Sequence, residues 1–522
     1  MARPIALGIS LLALMLFATP DPGLAQQPKR GGVLRIAERE APGLDPHLTV
    51  SFLSHSFISL AYSQLVRFPN GPEQKHPADF SILPDLAEKW EYKTPTSLVF
   101  TLRKGVKFHN GKEMTSADVV PSLQRWGKMS TAGKALWKNV EAVEAKDSHA
   151  LVIHLKGASG SLLYALASPN NGAAIYPREV IAAAGDGQIK EVIGTGPYRF
   201  VEHKPDRHIK LARFKDYAAR PEPADGWGGK RTAYADEILF LPVPDVSVRL
   251  AGVETGEYHF AQNIKQDQYE RIKAIPALDA NIIKPYGWIT AVPNHKQGVM
   301  ASKKIRQAFL AALDMEPIMA AGVGNKDFYR LDGALFYPEQ GLMHSQSGVT
   351  GYNQKSKDRA RALLKEAGYK GEPVRWITTK EYDWMYTTAL VARQQMEEAG
   401  FKVDLQVLDW ATLVQRRNKP ELFDVFSTGF TFNPDPALAT SLQCNWPGWW
   451  CHEEKDRLMA DLARETDPRK RRAIIERTQA IFYDDVGRVK LGDYFLLEPT
   501  RKELRGFRSG VYLHFWNAWL AR

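Results

Sequence analysis

An α/β fold spread over more than one domain is what the sequence predicts, and three observations predict it. Strand-like Val374 to Thr378, a helical stretch ending at Gly400 and the alternating Val403, Leu405 and Val407 form a βαβ unit, with parallel strands joined by a crossover helix. Near the N-terminus, Gly31-Gly32 precedes strand-like Val33 to Ala37, and a helical stretch follows from about Phe52 to Val66, giving a first β-to-α unit. The chain has 522 residues, enough for about three domain-sized units.

Residues Met1 to Ala25 read as an export leader. Arg3 supplies a positive charge, Ile5 to Ala18 is almost wholly apolar, and Gly23-Leu24-Ala25 follows Pro20 and Pro22, so cleavage is expected after Ala25. The apolar run falls short of the roughly 20 residues a membrane-spanning helix needs, and no cysteine stands nearby to carry a lipid. The rest, with 44% hydrophobic and 25% charged residues over the chain, has globular composition.

Leu98, Phe100 and Leu102 alternate as a strand does, and Asn110-Gly111 supplies a turn after Val106-Lys107-Phe108. Thr115 with Asp118 three residues on predicts a capping box for a helix carrying Val119, Leu123 and Trp126, which Pro121 should bend. Short strands are expected at Ala150 to Leu155 and Tyr198 to Val201, the second opened by Gly194-Thr195-Gly196-Pro197. Those glycines lack the third glycine and following helix of a dinucleotide loop. Residues 218 to 233 read as an exposed loop.

Farther on, Ile305, Phe309, Ala312 and Leu313 mark one helical face, and Ala360, Leu363, Leu364 and Ala367 mark another that stops at Gly368. Parallel sheets bind ligands beyond the carboxyl ends of their strands, which points to the loops Thr379 to Trp384 and Asp409-Trp410. Asp467-Pro468 opens a last helix with Ile474, Ile475, Thr478, Ile481 and Phe482 on one face. A strand through Leu491 to Leu497 and an aromatic tail, Tyr512 to Trp519, complete the chain.

The net charge of +10 comes from scattered residues, and the densest basic run, Arg469 to Arg472, reads as a solvated helix face, so a nucleic-acid partner is not expected. Cys444 and Cys451 flank a Trp-rich loop and are expected to pair in an oxidising compartment. A metal site completed by His452 has no matching spacing. No nucleophile elbow, zinc helix or phosphate loop is present: Gly157-Ala158-Ser159-Gly160-Ser161 and His452-Glu453-Glu454-Lys455-Asp456 each miss a defining residue. No catalytic residue, cofactor or metal is therefore assigned.

Several runs together resemble the extracellular solute-binding proteins of the peptide/nickel class, which include the dipeptide- and oligopeptide-binding proteins of ABC importers. They are Gly31-Gly32-Val33-Leu34 with Leu44-Asp45-Pro46, Leu83-Pro84-Asp85-Leu86-Ala87-Glu88-Lys89-Trp90, Leu102 to Gly111, Ala117-Asp118-Val119-Val120, Gly194 to Tyr198, Ile305-Arg306-Gln307-Ala308 with Asp314, and Leu363 to Tyr369. The resemblance implies a two-lobed periplasmic binding protein with a small domain inserted in the first lobe and a hinge of two crossing strands. Lobe 1 would take 26–284 plus 494–522 with the insert at about 72–190, and lobe 2 would take 285–493. Tyr286 to Trp288 and Asp493-Tyr494 would lie near the crossings.

It further implies a monomer that holds a peptide or peptide-like solute between the lobes and delivers it to an inner-membrane ABC permease. Thr49, Ser51 and Phe52 would contact the solute from lobe 1. Trp288, Trp384, Trp410 and the segment Gly429, Phe430, Thr431, Phe432, Asn433, Pro434, Asp435 would contact it from lobe 2. In the peptide binders a carboxylate in that segment pairs with the peptide ammonium, and the position aligned with it is Phe430. Either Asp435 takes that role or the ligand lacks a free amine there, which leaves a conjugate, opine or sugar open. Nickel is disfavoured because no histidine cluster falls in the expected cleft loops. Two other classes remain to be separated: an exported hydrolase with His109 or His452 as base, and a chaperone for unfolded peptides.

Overall fold

A computed structural model describes residues 27–521 except 42, 50, 69–81, 171 and 509; the expected leader lies outside the described residues. Two long strands organise the molecule, Leu278–Pro293 and Val489–Arg501, paired antiparallel. Their register is regular from Leu278↔Arg501 to Ile283↔Leu496, slips, and resumes at Gly287↔Tyr494. The slip divides one sheet into two working halves, because different strands flank the pair on either side of it.

On one side, Thr500 pairs with Phe260 of Phe260–Ala261, which lies beside the parallel strand Val33–Glu38; Glu237–Pro242, His208–Arg213 and Tyr198–Lys204 follow. On the other side, Gly287 to Pro293 pair with Val425–Thr431, and Val374–Thr378 and Val403–Val407 follow in parallel. Among the described residues the sheet counts eleven strands. The parallel order read from Val374 to Val407 is thus present, with Asp383–Glu398 as its crossover helix.

Three apolar cores match this layout. One gathers Leu34, Ile36, Phe57, Tyr198, Phe240 and the tail residues Phe515 and Trp516, and a second, with Trp288, Phe309, Trp376, Phe426 and Phe482, fills the other half. The third, spanning Leu65 to Ile175, lies beneath the four-stranded antiparallel sheet Ala87–Thr94, Ser97–Leu102, Ala150–Leu155 and Val140–Asp147.

Local signals act where the sequence put them. The Asp118 carboxylate accepts from the Thr115 N–H at 3.1 Å, and Asp467 accepts from Arg469 and Lys470 at 2.8 and 3.0 Å. The helix Ser116–Met129 continues through Pro121. Other expectations are corrected. The first helix is Phe52–Ala61, shorter than expected, because the chain turns extended at Tyr62 and enters the strand Val66–Arg67. Residues 218 to 233 are not simply an exposed loop: Trp227 is buried, donates to the Tyr512 carbonyl at 3.1 Å and meets Trp516 edge-on with ring centres 5.4 Å apart. Nor is the basic run wholly solvated, since Arg471 is buried and ion-paired with Asp435.

Cys444 and Cys451 form a disulfide across a separation of seven residues. Closing so short a loop removes little chain entropy, so the Cys444→Ser/Cys451→Ser double variant should lose about 2 kcal/mol of stability against denaturant. Among the described residues no helix is long and apolar enough to cross a membrane.

Candidate ligand cleft

Between the lobes lies a cleft of about 1250 Å³, roomier than the ~300–1,000 Å³ common for single small ligands. Contacts join the lobes around it. Gly160 and Ser161 donate backbone N–H groups to the Ala463 carbonyl at 2.9 and 3.2 Å, Arg471 lies over the Tyr164 ring at 5.7 Å, and Lys265 pairs with Asp383 at 3.4 Å. Arg39 lies 5.9 Å from the Tyr382 ring centre. These contacts bridge the cleft.

The structure brings most of the expected residues to this cleft: Ser51, Trp288, Trp384, Trp410, Gly429, Phe430, Phe432 and Asn433 line it. Trp288 and Phe430 pair near the end of the ladder between their strands, with ring centres 5.1 Å apart, and both are buried, so they serve wall and core at once. Trp384 opens the crossover helix and lies against Tyr494, with ring centres 5.3 Å apart. Gly429 permits this approach, since a Cβ there would stand 3.0 Å from the Trp384 ring. Phe432 stacks on Tyr337 at 5.8 Å.

Three expected residues behave differently. Thr49 is not in the lining; its hydroxyl accepts from the Ser51 N–H at 3.1 Å and shapes the turn before the first helix. Phe52 begins that helix, but its side chain lies outside what is described. Asp435 is turned from the cleft: it is 1% exposed, and Oδ1 accepts from Arg471 at 2.5 Å and from the Ala437 N–H at 3.0 Å. Its charge is spent on a buried guanidinium, which removes it as partner for a ligand ammonium. Asn433 also shapes the loop, its Oδ1 accepting from the Asp435 N–H at 3.0 Å.

Other lining residues were not singled out from sequence. Trp446, inside the disulfide loop, meets Phe430 with ring centres 4.8 Å apart. Arg417 lies over Trp410 and Trp446 at 5.5 Å each, and its Nε has no hydrogen-bond partner among the described residues. A cation held by aromatic faces suits a ligand carboxylate. The Trp-rich spacing around Cys444 and Cys451 was the one available signal; Arg417 had none.

Glu498, on the strand Val489–Arg501, also lines the cleft. It is 2% exposed, and burial pushes its carboxyl up to about 8. Glu38, equally buried, is likewise raised by burial and by the Glu498 charge, against a hydrogen bond from Ser56 and the Arg249 charge. Because the folded protein holds the Glu498 proton more tightly than the unfolded chain does, its contribution to stability is complete below the ordinary glutamate range and is lost as pH rises through about 8. Glu498→Gln should therefore flatten the fall in melting temperature of unliganded protein between pH 5 and about 9, a range set by that linkage.

The histidines considered as bases are otherwise engaged. His109 Nε2 bonds the Gly196 carbonyl at 3.1 Å and burial drops its pKa to about 4, while His452 caps the helix Glu453–Arg464; neither lines the cleft. Among the described residues no group of three or more His, Cys, Asp or Glu is arranged to hold a metal ion.

This geometry agrees with the comparisons. The model of a family described as Bacterial extracellular solute-binding proteins, family 5 Middle, matches residues 81–448. The chain belongs to this family. Solute-binding proteins of family 5 are a binding class, not a catalytic one. The "Probable peptide ABC transporter periplasmic-binding protein y4tO" of Sinorhizobium fredii is 27% identical over 508 residues, covering 93% of this chain and 92% of that protein. The fold matches the oligopeptide-binding protein AppA of Bacillus subtilis in complex with a nonapeptide, at 22% identity and a TM-score of 0.78, over 95% of this chain and 100% of that one. It also matches the PBP AgaA of A. tumefacien R10 in complex with agropinic acid, at 21% identity and a TM-score of 0.76, over 94% and 99%. One scaffold thus serves a nonapeptide and agropinic acid, so the fold does not choose the ligand.

Proposed function

We propose that the protein is the periplasmic substrate-binding component of an ABC importer, which closes over one peptide or peptide-like solute and hands it to a membrane permease. The observation that carries this reading is the interlobe cleft: aromatic walls from Trp288, Trp384, Trp410 and Trp446 suit apolar groups, while Glu498 and Arg417 offer an acid and a cation to an amphoteric ligand. The family relationship and the peptide-named relative support the same class. Lobes of 26–284 plus 494–522 and of 285–493 would swing about the crossing strands, where the register slip between Ile283 and Gly287 leaves the pairing least regular. Ser51 and the segment from Gly429 to Asn433 would touch the solute from opposite lobes, and the chain would act as a monomer.

A panel of short peptides and opines tests this by thermal shift and small-angle scattering. A true solute at 100 times its Kd should stabilise the fold by about 2.7 kcal/mol and contract the scattering envelope, at one ligand per chain. Many long ligands per chain would indicate a chaperone, and product formation would indicate a hydrolase. No stabilisation by any member, with an unchanged envelope, would remove the reading.

A further inference from the structure

We propose that Glu498 receives the cationic end of the solute, an ammonium in a peptide-like ligand. The inference rests on reading the cleft as a solute site and names the group within it that selects for charge. Among the described residues five carboxylates line the cleft: Asp245, Asp267, Glu381, Asp383 and Glu498. Four are occupied by local duties. Asp245 caps a helix by accepting from Ser247 and Val248, Asp267 accepts from Gln268, Glu381 accepts from the Trp410 N–H, and Asp383 pairs with Lys265.

Glu498 differs in being both buried and unanswered. It is 2% exposed, and Oε2 has no hydrogen-bond partner among the described residues. Arg249, the cation whose charge acts on the neighbouring Glu38, gives its N–H groups to the carbonyls of Val243, Pro244 and Gln262, at 2.6, 3.0 and 3.0 Å. A second carboxylate, Glu38, reinforces the site. Both its oxygens lie 3.1 Å from the Ser56 hydroxyl, and Ser56 lines the cleft.

Two acids confined together gain most from a cation placed against them, here the ligand's own ammonium. While no solute is bound, burial lets Glu498 keep a proton, so no isolated charge is left in the closed interior. An arriving ammonium replaces that proton. A neutral solute of the same shape brings nothing in exchange, which makes the pair a filter for charge as well as an anchor.

The test uses a di- to tetrapeptide library with free amines and a second library, N-acetylated and free of Lys, Arg and His. Each is mixed with full-length protein, and retained species are read by native mass spectrometry and titrated by calorimetry. Wild type is expected to retain members of the first library alone, and Glu498→Gln to bind them about 30-fold more weakly, the lower end of the cost of truncating a buried charge pair. If that variant does not fold, Glu498→Asp, which keeps the charge but withdraws it by one methylene, is expected to weaken the same ligands selectively. Equal retention of the acetylated library, or unchanged affinity in a folded Glu498 variant, would overturn the assignment while leaving the cleft a solute site. Retention of neither library by wild type would remove the peptide-like reading itself, and this inference with it.

Discussion

Asp85→Ala is expected to cost about 3–5 kcal/mol, the range for leaving a buried charge uncompensated. Asp85 is 2% exposed and answers two buried guanidiniums at once: Oδ2 accepts from Arg67 Nε at 2.5 Å and Oδ1 from Arg231 Nη2 at 2.6 Å. Removing it leaves two cations facing each other in an apolar interior. Both arginines also lie over Trp516, at 5.7 and 5.5 Å, so the ion cluster fastens the C-terminal tail to the strand Val66–Arg67 and to the loop that carries Trp227. Urea unfolding followed by tryptophan fluorescence checks this, and a shift below about 1 kcal/mol, the scale of an exposed pair, would contradict it. Burial alone would raise the Asp85 carboxyl, but Arg231 and Arg67 outweigh it and hold it below the ordinary range. The stability it confers is therefore present above the unfolded aspartate pKa and lost as pH falls through the lower folded value.

Trp384→Ala should weaken solute binding by about 2 kcal/mol or more, roughly 30-fold, as expected for an aromatic at the centre of a closed site. Trp384 is half-buried and its ring meets Tyr494 and the open face of Gly429, so stability should change far less than affinity. Calorimetric titration of a retained solute, paired with a melting curve of the unliganded variant, separates the two effects. Unchanged affinity would show that the ring belongs to the wall without touching the ligand. Gly429→Ala, which sets a methyl 3.0 Å from the same ring, should weaken binding by displacing it.

Trp384 and Trp410 were legible as cleft aromatics because each lies just beyond a strand end, where an α/β sheet presents its ligand, whereas Trp288, Phe430 and Phe432 were expected there only through the family resemblance. Asp435 stands in the same loop and looked equally available. Its orientation depends on Arg471, 36 residues away on another helix, and nothing in the local pattern distinguishes an arginine that faces solvent from one that turns inward. Glu498 was hidden for the opposite reason. It lies inside the strand Val489–Arg501, where every residue from Val489 to Thr500 is buried, so no alternation marked one side as cleft.

By itself the sequence determined the α/β class, the parallel unit from Val374 to Val407, the helix caps at Thr115 and Asp467 and the pairing of Cys444 with Cys451, because periodicity, capping and short loop closure act within a few residues. Tertiary structure alone decided which charges are consumed and which line the cleft. Asp435 is neutralised by Arg471, Trp227 is drawn into the core by Tyr512 at a separation of 285 residues, and Glu498 is left without a partner among the described residues. Desolvation and pairing are properties of the assembled interior, set by segments that meet only after folding.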